Sequence, residues 1–171
     1  MLSYVAMIGK RCYISMSQYS HQLKALLPSL GGFTAILLCS GFGELMNFSL
    51  IMAPFGATCV LIFVLPESPL SQPRNIIGGH LLSTLVGLII LTLFGTHSWS
   101  IALAVGLAIG FMQRTRTVHP PAGADPIVVM LSAVTWKFLI TPVLFGAVLI
   151  VLTAYFYHKI ARTSSYPKQW W

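Results

Sequence analysis

Six apolar segments, at roughly 28–46, 49–66, 74–95, 98–113, 118–135 and 138–158, follow one another with only short polar breaks. That run constrains the fold more than any single motif. Charged residues make up 8% of the chain and hydrophobic ones 56%, where a soluble domain carries about 25% charged residues. Too few charges are available to cover a water-facing surface, so the excess apolar surface faces lipid. In lipid the backbone must satisfy its own polar groups, within helices or a closed barrel. Long apolar runs, as opposed to short alternating ones, select helices. The chain is therefore read as an all-α integral membrane protein whose first partner is the lipid bilayer.

Several segments fall short of the ~20 residues that span a hydrocarbon core as a straight helix. The second and fifth also open with proline and glycine. They are either broken helices, giving six crossings, or re-entrant segments, giving four helices and two hairpins. Basic residues discriminate between the two. Six crossings place Lys10, Arg11, Lys24, Arg74, Arg114, Arg116, Lys159, Arg162 and Lys168 on one side and only Lys137 on the other. Four crossings move Arg74, Arg114, Arg116 and Lys137 together to the outside. The positive-inside rule prefers six crossings with both termini cytoplasmic, with Trp99 and Trp136 at the outer interface. This use of the +7 net charge leaves no reason to infer a nucleic-acid partner.

Sliding the chain on itself by 67 residues aligns Pro54-Phe55-Gly56-Ala57-Thr58 with Pro121-Ala122-Gly123-Ala124-Asp125, Gly43 with Gly110, and Gly79 with Gly146. Three crossings per repeat is an odd number, so the two halves are expected to be inverted. Interrupted segments at matching positions of inverted repeats point to a transport site near the bilayer midplane. Thr58 and Asp125 are good N-cap residues, and Pro126 suits the first helical position. Each broken segment is thus expected to enter extended and become helical at Thr58 or Asp125. The two helix starts would converge as an anion site of free N–H groups. Gly56 and Gly123 would let a ligand approach the backbone, and Gly123→Val is expected to abolish flux. The Asp125 carboxylate opposes an anion there, because it competes for the same donors.

Outside this core, residues 1–27 form a cytoplasmic segment. Cys12, Met16, Tyr19, Leu23 and Leu26 recur at helical spacing, as in an amphipathic helix on the membrane surface. A frayed basic tail and a serine-rich transit peptide are the other readings. The transmembrane domain covers 28–158, and 159–171 is a basic, aromatic cytoplasmic tail. Three cysteines without metal-ligand spacing imply neither a disulfide framework nor a metal. No nucleophile–base pair, phosphate-binding loop or redox pair is visible, so neither catalysis nor a cofactor is expected.

The remaining polar residues each carry two readings. His80, after Gly78-Gly79 inside the third segment, is an intramembrane ionisable group and a functional candidate by default. Its structural reading is a neutral ring bonded to a backbone carbonyl. His119, before Pro120 and Pro121, which force an extended approach, can relay or sense protons, or it can cap local backbone at the headgroup level. Arg74 at a helix start opposes the macrodipole and asks for a partner, either Glu67 or a substrate anion. Gly106-x-x-x-Gly110, together with Gly79, Ser83 and Gly87, permits close helix packing or a homo-oligomer.

The run His119-Pro120-Pro121-Ala122-Gly123-Ala124-Asp125-Pro126 resembles the signature of the HPP family of integral membrane proteins. Ala53-Pro54-Phe55-Gly56-Ala57-Thr58 and Ser68-Pro69-Leu70-Ser71-Gln72-Pro73-Arg74-Asn75, followed by Gly78-Gly79-His80, are similar to its other blocks. The resemblance covers about residues 28–158. It implies a relation to plant members linked to nitrite transport across the plastid envelope. It also implies a bacterial-type protein of the inner (cytoplasmic) membrane, where some relatives carry or adjoin cystathionine-β-synthase-type regulatory domains. The family is usually described with four transmembrane helices, against the six crossings preferred here.

The leading functional expectation is a transporter or channel for a small inorganic anion, nitrite first. Pro54, Gly56, Thr58, Pro121, Gly123 and Asp125 would form the broken-helix site. His119, with Pro120 beside it, and His80 would supply a proton-linked gate or polar ligands. Arg74 and Asn75 would shape the cytoplasmic mouth. The alternative is a non-transporting scaffold or sensor that docks a soluble regulatory protein through its basic N-terminal segment and Pro-rich loop.

Overall fold

The computed structural model describes residues 26–170, and over them the protein is helical without strands. The amphipathic reading of residues 1–27 and the placement of Lys10, Arg11, Lys24 and Trp171 lie outside the described residues, apart from Leu26 and Leu27 at the start of the first helix. Six α-helices follow in order: α1 Leu26–Met46, then α2 Pro54–Val64, α3 Pro73–Phe94, α4 Ser98–Thr115, α5 Asp125–Leu131 and α6 Phe145–Ala161. Their ends follow local chemistry. Proline fixes the first turn of α3, where its missing N–H costs nothing. Gly95, at φ +67°, closes α3, a conformation that glycine adopts without strain. His97 and Ser100 form a capping box at the start of α4, satisfying donors that a helix start leaves open.

Two helices are too short to cross. At ~1.5 Å per residue α2 reaches about 16 Å and α5 about 10 Å, against a ~30 Å hydrocarbon core. Three described stretches are long and apolar enough to cross, namely α1, α3 and Trp136–Ala161, in which a 3-10 turn joins α6 across a break at Thr141. The contacts nevertheless show six passes. Near the start of α1, Leu27 accepts a hydrogen bond from Tyr157, and Gly31 packs on Phe63 near the end of α2. α1 and the segment 47–64 therefore run in opposite directions. α3 returns from the loop that follows α2, and α4 descends again to Thr115. The next segment then climbs along the whole of α3. It begins with Asn75 Nδ2 donating to the Val118 carbonyl, 2.8 Å away, and ends with Thr96 Oγ1 donating to the Met130 carbonyl at 2.9 Å. Those anchors are separated by about 30 Å of helical rise, a full membrane thickness. α6 comes back down, and His158 Nε2 meets the Ile62 carbonyl at 2.9 Å.

The preferred six-pass reading thus holds, with both described ends at one face. Arg74, Arg114, Arg116, Lys159, Arg162 and Lys168 stand at that face and Lys137 at the other. Large apolar side chains point outward along the bundle, including Phe33, Leu37, Leu93, Ile109 and Phe156, as lipid requires. Two apolar clusters fill the inside. One joins α1, α2 and α6 through Ala35, Phe55, Ile62, Ala147 and Ile150. The other joins α3, α4 and α5 through Val86, Ile90, Ala104, Val129 and Met130.

The repeat is visible in three dimensions. A Cβ on Gly79 would lie 2.9 Å from the Thr117 carbonyl oxygen, and one on Gly146 would lie 2.8 Å from that of Leu50. Gly79 and Gly146 are 67 residues apart, and so are Leu50 and Thr117. In each half a long helix presents a glycine to the interrupted segment of the other half. The helix starts differ from expectation. α2 begins at Pro54, four residues before Thr58, because Ala53 already has helical dihedrals. Asp125 is the first residue of α5 rather than its cap, because the 3-10 turn Pro120–Ala124 leads into the helix. Neither Thr58 nor Asp125 spends its side chain on a cap, and both are available to tertiary partners.

Candidate functional site

The non-helical stretch before α5 cannot satisfy its own carbonyls, and inside a membrane bundle something else must. Polar side chains along the first half of α3 do so. Arg74 donates to the Thr115 carbonyl at 2.9 Å, Asn75 to that of Val118, and Ser83 Oγ to that of Ala122 at 2.6 Å. Close approach depends on small residues. Added Cβ atoms at Gly78, Gly79 and Gly87 would fall 2.8–2.9 Å from Thr117, His119 and Pro126. The small-residue stripe of the third segment therefore serves to seat the interrupted segment of the other half.

This seating brings four fully buried polar side chains together: Thr58, His80, His119 and Asp125. They form a continuous array. His119 Nδ1 meets the Leu70 carbonyl oxygen at 2.8 Å, and His119 Nε2 meets Thr58 Oγ1 at 2.9 Å. Thr58 Oγ1 meets His80 Nε2 at 2.8 Å, and His80 Nδ1 meets Asp125 Oδ2 at 2.8 Å. Thr84 Oγ1 adds a long contact of 3.4 Å to the same carboxyl oxygen. The Phe55 ring stands edge-on to His80, with centroids 5.2 Å apart, and the two imidazoles are 5.0 Å apart. The array begins at the 3-10 turn Pro69–Ser71 and ends roughly 10–16 Å along α3, near mid-depth. Beyond Asp125 the interior is apolar, built from Val86, Ile90, Val129 and Met130.

A buried acid beside a buried base holds or exchanges a proton; it is not an efficient static brace, because desolvation opposes the pair. Asp125 Oδ1 is buried with no hydrogen-bond partner among the described residues. No three of the described His, Cys, Asp and Glu side chains converge as a metal site requires.

Of the residues singled out in the sequence, Thr58, His80, His119 and Asp125 meet in one cluster. Arg74 and Asn75 stand at its loop end, and Pro54, Pro120 and Pro121 shape the two interrupted segments. Gly56 and Gly123 do not line the cluster. A Cβ on either would meet nothing within 4 Å, which removes the physical basis for a severe Gly123→Val effect. Glu67 pairs with Lys168 at 3.1 Å. The sequence pattern marks Ser83 only as a packing residue and does not single out Thr84. The signal for both was present: they sit three and four residues after His80, on one helical face of an apolar segment.

The transmembrane-region model of the HPP family matches residues 17–167. A transmembrane protein of Dictyostelium discoideum is 38% identical over 154 residues, covering 83% of this chain and 54% of the relative. A second from the same organism is 40% identical over 129 residues, covering 71% and 42%. The chain spans about half the length of these curated relatives. No solved structure matches it significantly. The chain belongs to the HPP transmembrane family.

Proposed function

From that membership we propose that the protein carries a small inorganic anion, nitrite first, across its membrane. The observation that supports this most is the buried four-residue cluster, held at mid-depth by both interrupted segments in an otherwise apolar interior. Intramembrane ionisable groups facing a bundle interior are costly, and they mark substrate or proton pathways. The anion would approach from the face that bears Arg74, Arg114 and Arg116, where basic charge raises the local concentration of anions. Asn75, His119, Thr58 and His80 place polar hydrogens along one side of the path, engaged at rest with one another and with backbone carbonyls, which an anion would compete for. The positive-inside rule makes that face cytoplasmic.

Asp125 gives the reading its logic. An ionised carboxylate and an inorganic anion repel each other in a low-dielectric interior, so anion occupancy and ionisation of Asp125 oppose one another. The anion is thereby held best while the cluster carries a proton. The test is nitrite flux into liposomes that contain purified protein, compared with empty liposomes and with His119→Ala. Internal pH is varied, because nitrous acid itself leaks through lipid. Saturable flux above the leak, lost in the variant, supports transport. Folded protein with no flux above the leak overturns it and favours a scaffold that binds a soluble partner.

A further inference from the structure

The contacts of the cluster count its protons. A carbonyl oxygen only accepts, so the hydrogen between His119 and Leu70 resides on His119 Nδ1. A neutral His119 then offers a lone pair at Nε2 and must accept from Thr58, whose hydroxyl has a single hydrogen. With that hydrogen spent, the contact between Thr58 and His80 needs one on His80 Nε2. The contact between His80 Nδ1 and Asp125 Oδ2 then needs one more. The array has four contacts, whereas two neutral imidazoles and one hydroxyl supply three hydrogens.

We infer that the cluster binds one exchangeable proton, shared by Asp125, His80 and His119, with the Thr58 hydroxyl as the reversible link between the rings. Three placements satisfy all four contacts. With the proton on Asp125, the acid donates to His80 Nδ1, His80 Nε2 donates to Thr58, and Thr58 donates to His119. With the proton on His80, the imidazolium donates from both nitrogens and Asp125 is the carboxylate. With the proton on His119, that ring donates from both nitrogens, the hydroxyl turns to His80 Nε2, and His80 Nδ1 donates to the carboxylate. Each placement leaves the cluster neutral overall, and passage between them moves one hydrogen per bond.

Removing the proton leaves two acceptors facing each other and a net negative charge in the apolar interior, both of which are penalised. The bare Asp125 Oδ1 has the same sense, since an unpartnered oxygen is tolerated better on a neutral acid than on a carboxylate. One contact competes. Thr58 Oγ1 lies 3.3 Å from the Pro54 carbonyl, but a hydroxyl turned there would require both Nε2 atoms to donate. That arrangement needs a second added proton and a net positive charge.

Among the described residues, no other titrating side chain hydrogen-bonds to the array. α2 contributes Thr58 and Phe55, and α4 places Met112 against Gly79. The repeat-equivalent face of α6 carries Ala147, Ile150 and Val151. Arg74, six residues toward the loop from His80, is bonded to Thr115. Combined with the transport reading on which this part rests, the count leaves the cluster one proton, enough to offset the charge of one monovalent anion beside it.

The test reads protonation directly, in lipid nanodiscs without substrate. Infrared spectroscopy reports the neutral carboxyl of Asp125, and nitrogen NMR of histidine-labelled protein reports imidazolium at His80 and His119. Near neutral pH the three fractions should sum to one proton per chain, and the carboxyl band should vanish in Asp125→Asn. An ionised Asp125 beside two neutral imidazoles, summing to zero, overturns the inference, and the wild-type protein alone gives that answer. In Thr58→Val the proton should remain but be confined to Asp125 and His80. Unchanged sharing with His119 overturns the role given to Thr58. Nitrite flux on the same preparations separates the two readings. A sum of one without flux retains the proton site and removes the transport role, whereas flux with a sum of zero does the reverse.

Discussion

The two crossings where a long helix meets the other half's interrupted segment share a backbone and differ in chemistry. At one, Gly79 faces the carbonyl of Thr117; at the other, Gly146 faces that of Leu50, at nearly the same distance. Around the first stand His80, Ser83, Thr84 and His119. Their equivalents 67 residues away are Ala147, Ile150, Val151 and Met52, all buried and apolar. The glycine and the interrupted segment are therefore features of the architecture, since both halves need them. The histidines and hydroxyls are not required to fold such a crossing, because its twin folds without them. Polarity on the α3 side goes beyond what the crossing needs, and its cost in a membrane interior is why the proposed function is placed there.

Breaking that contrast gives the largest expected effect. Asp125→Asn should reduce nitrite flux by roughly ten-fold or more, the change that ~1.4 kcal/mol of barrier produces, whereas Val151→Thr on the apolar twin should leave flux near wild type. Parallel liposome assays of the two variants check this. The next effect should be shared by both crossings. Gly79→Ala and Gly146→Ala each force a Cβ against backbone and should each cost roughly 1–3 kcal/mol of stability, read as thermal unfolding in detergent. Only the first also displaces His119, so only it should change the dependence of flux on pH.

An effect no larger than this sharpens the role of the polar side chains of α3. Ser83→Ala deprives the Ala122 carbonyl of its donor and should cost about 1–3 kcal/mol, whereas a cavity-scale change at its apolar twin, Ile150→Val, should cost about 0.5–1.5 kcal/mol. Chemical denaturation in one detergent compares them. Smallest of all, Gly56→Ala and Gly123→Ala point into open space and should stay within about 0.5 kcal/mol of wild type, with flux unchanged. Loss of flux in Gly123→Ala would restore the glycine to the site.

Much of this contrast was legible in the residues, and the remainder was hidden for physical reasons. Apolar runs and basic residues foretold six passes, because lipid leaves a chain few choices. Thr58, His80, His119 and Asp125 stood out as polar groups within those runs. Their convergence was expected at helix caps, but it arises at hydrogen bonds between side chains. The dihedrals of Ala53 and Ala124 move each helix start, and nothing in the identity of an alanine announces that. The direction of Gly56 and Gly123 was equally hidden. Helical neighbours are rotated by about 100°, so a shift of one residue turns a position from the interior to the lipid. The resemblance that pointed to four helices missed two passes, since α2 and α5 are too short to register as spans.

Thr58 and Asp125 are repeat partners, and their inequality has a consequence. Two aspartates in those places would compete for one proton at close range, and two threonines would have no charge with which to attract it. One of each makes the two ends of the array chemically unequal. It runs from a backbone carbonyl near the basic face, through two imidazoles joined by a hydroxyl that is never ionised, to a carboxyl at mid-depth. A doubled architecture is thereby given a direction, and one acid in place of a hydroxyl suffices to set it.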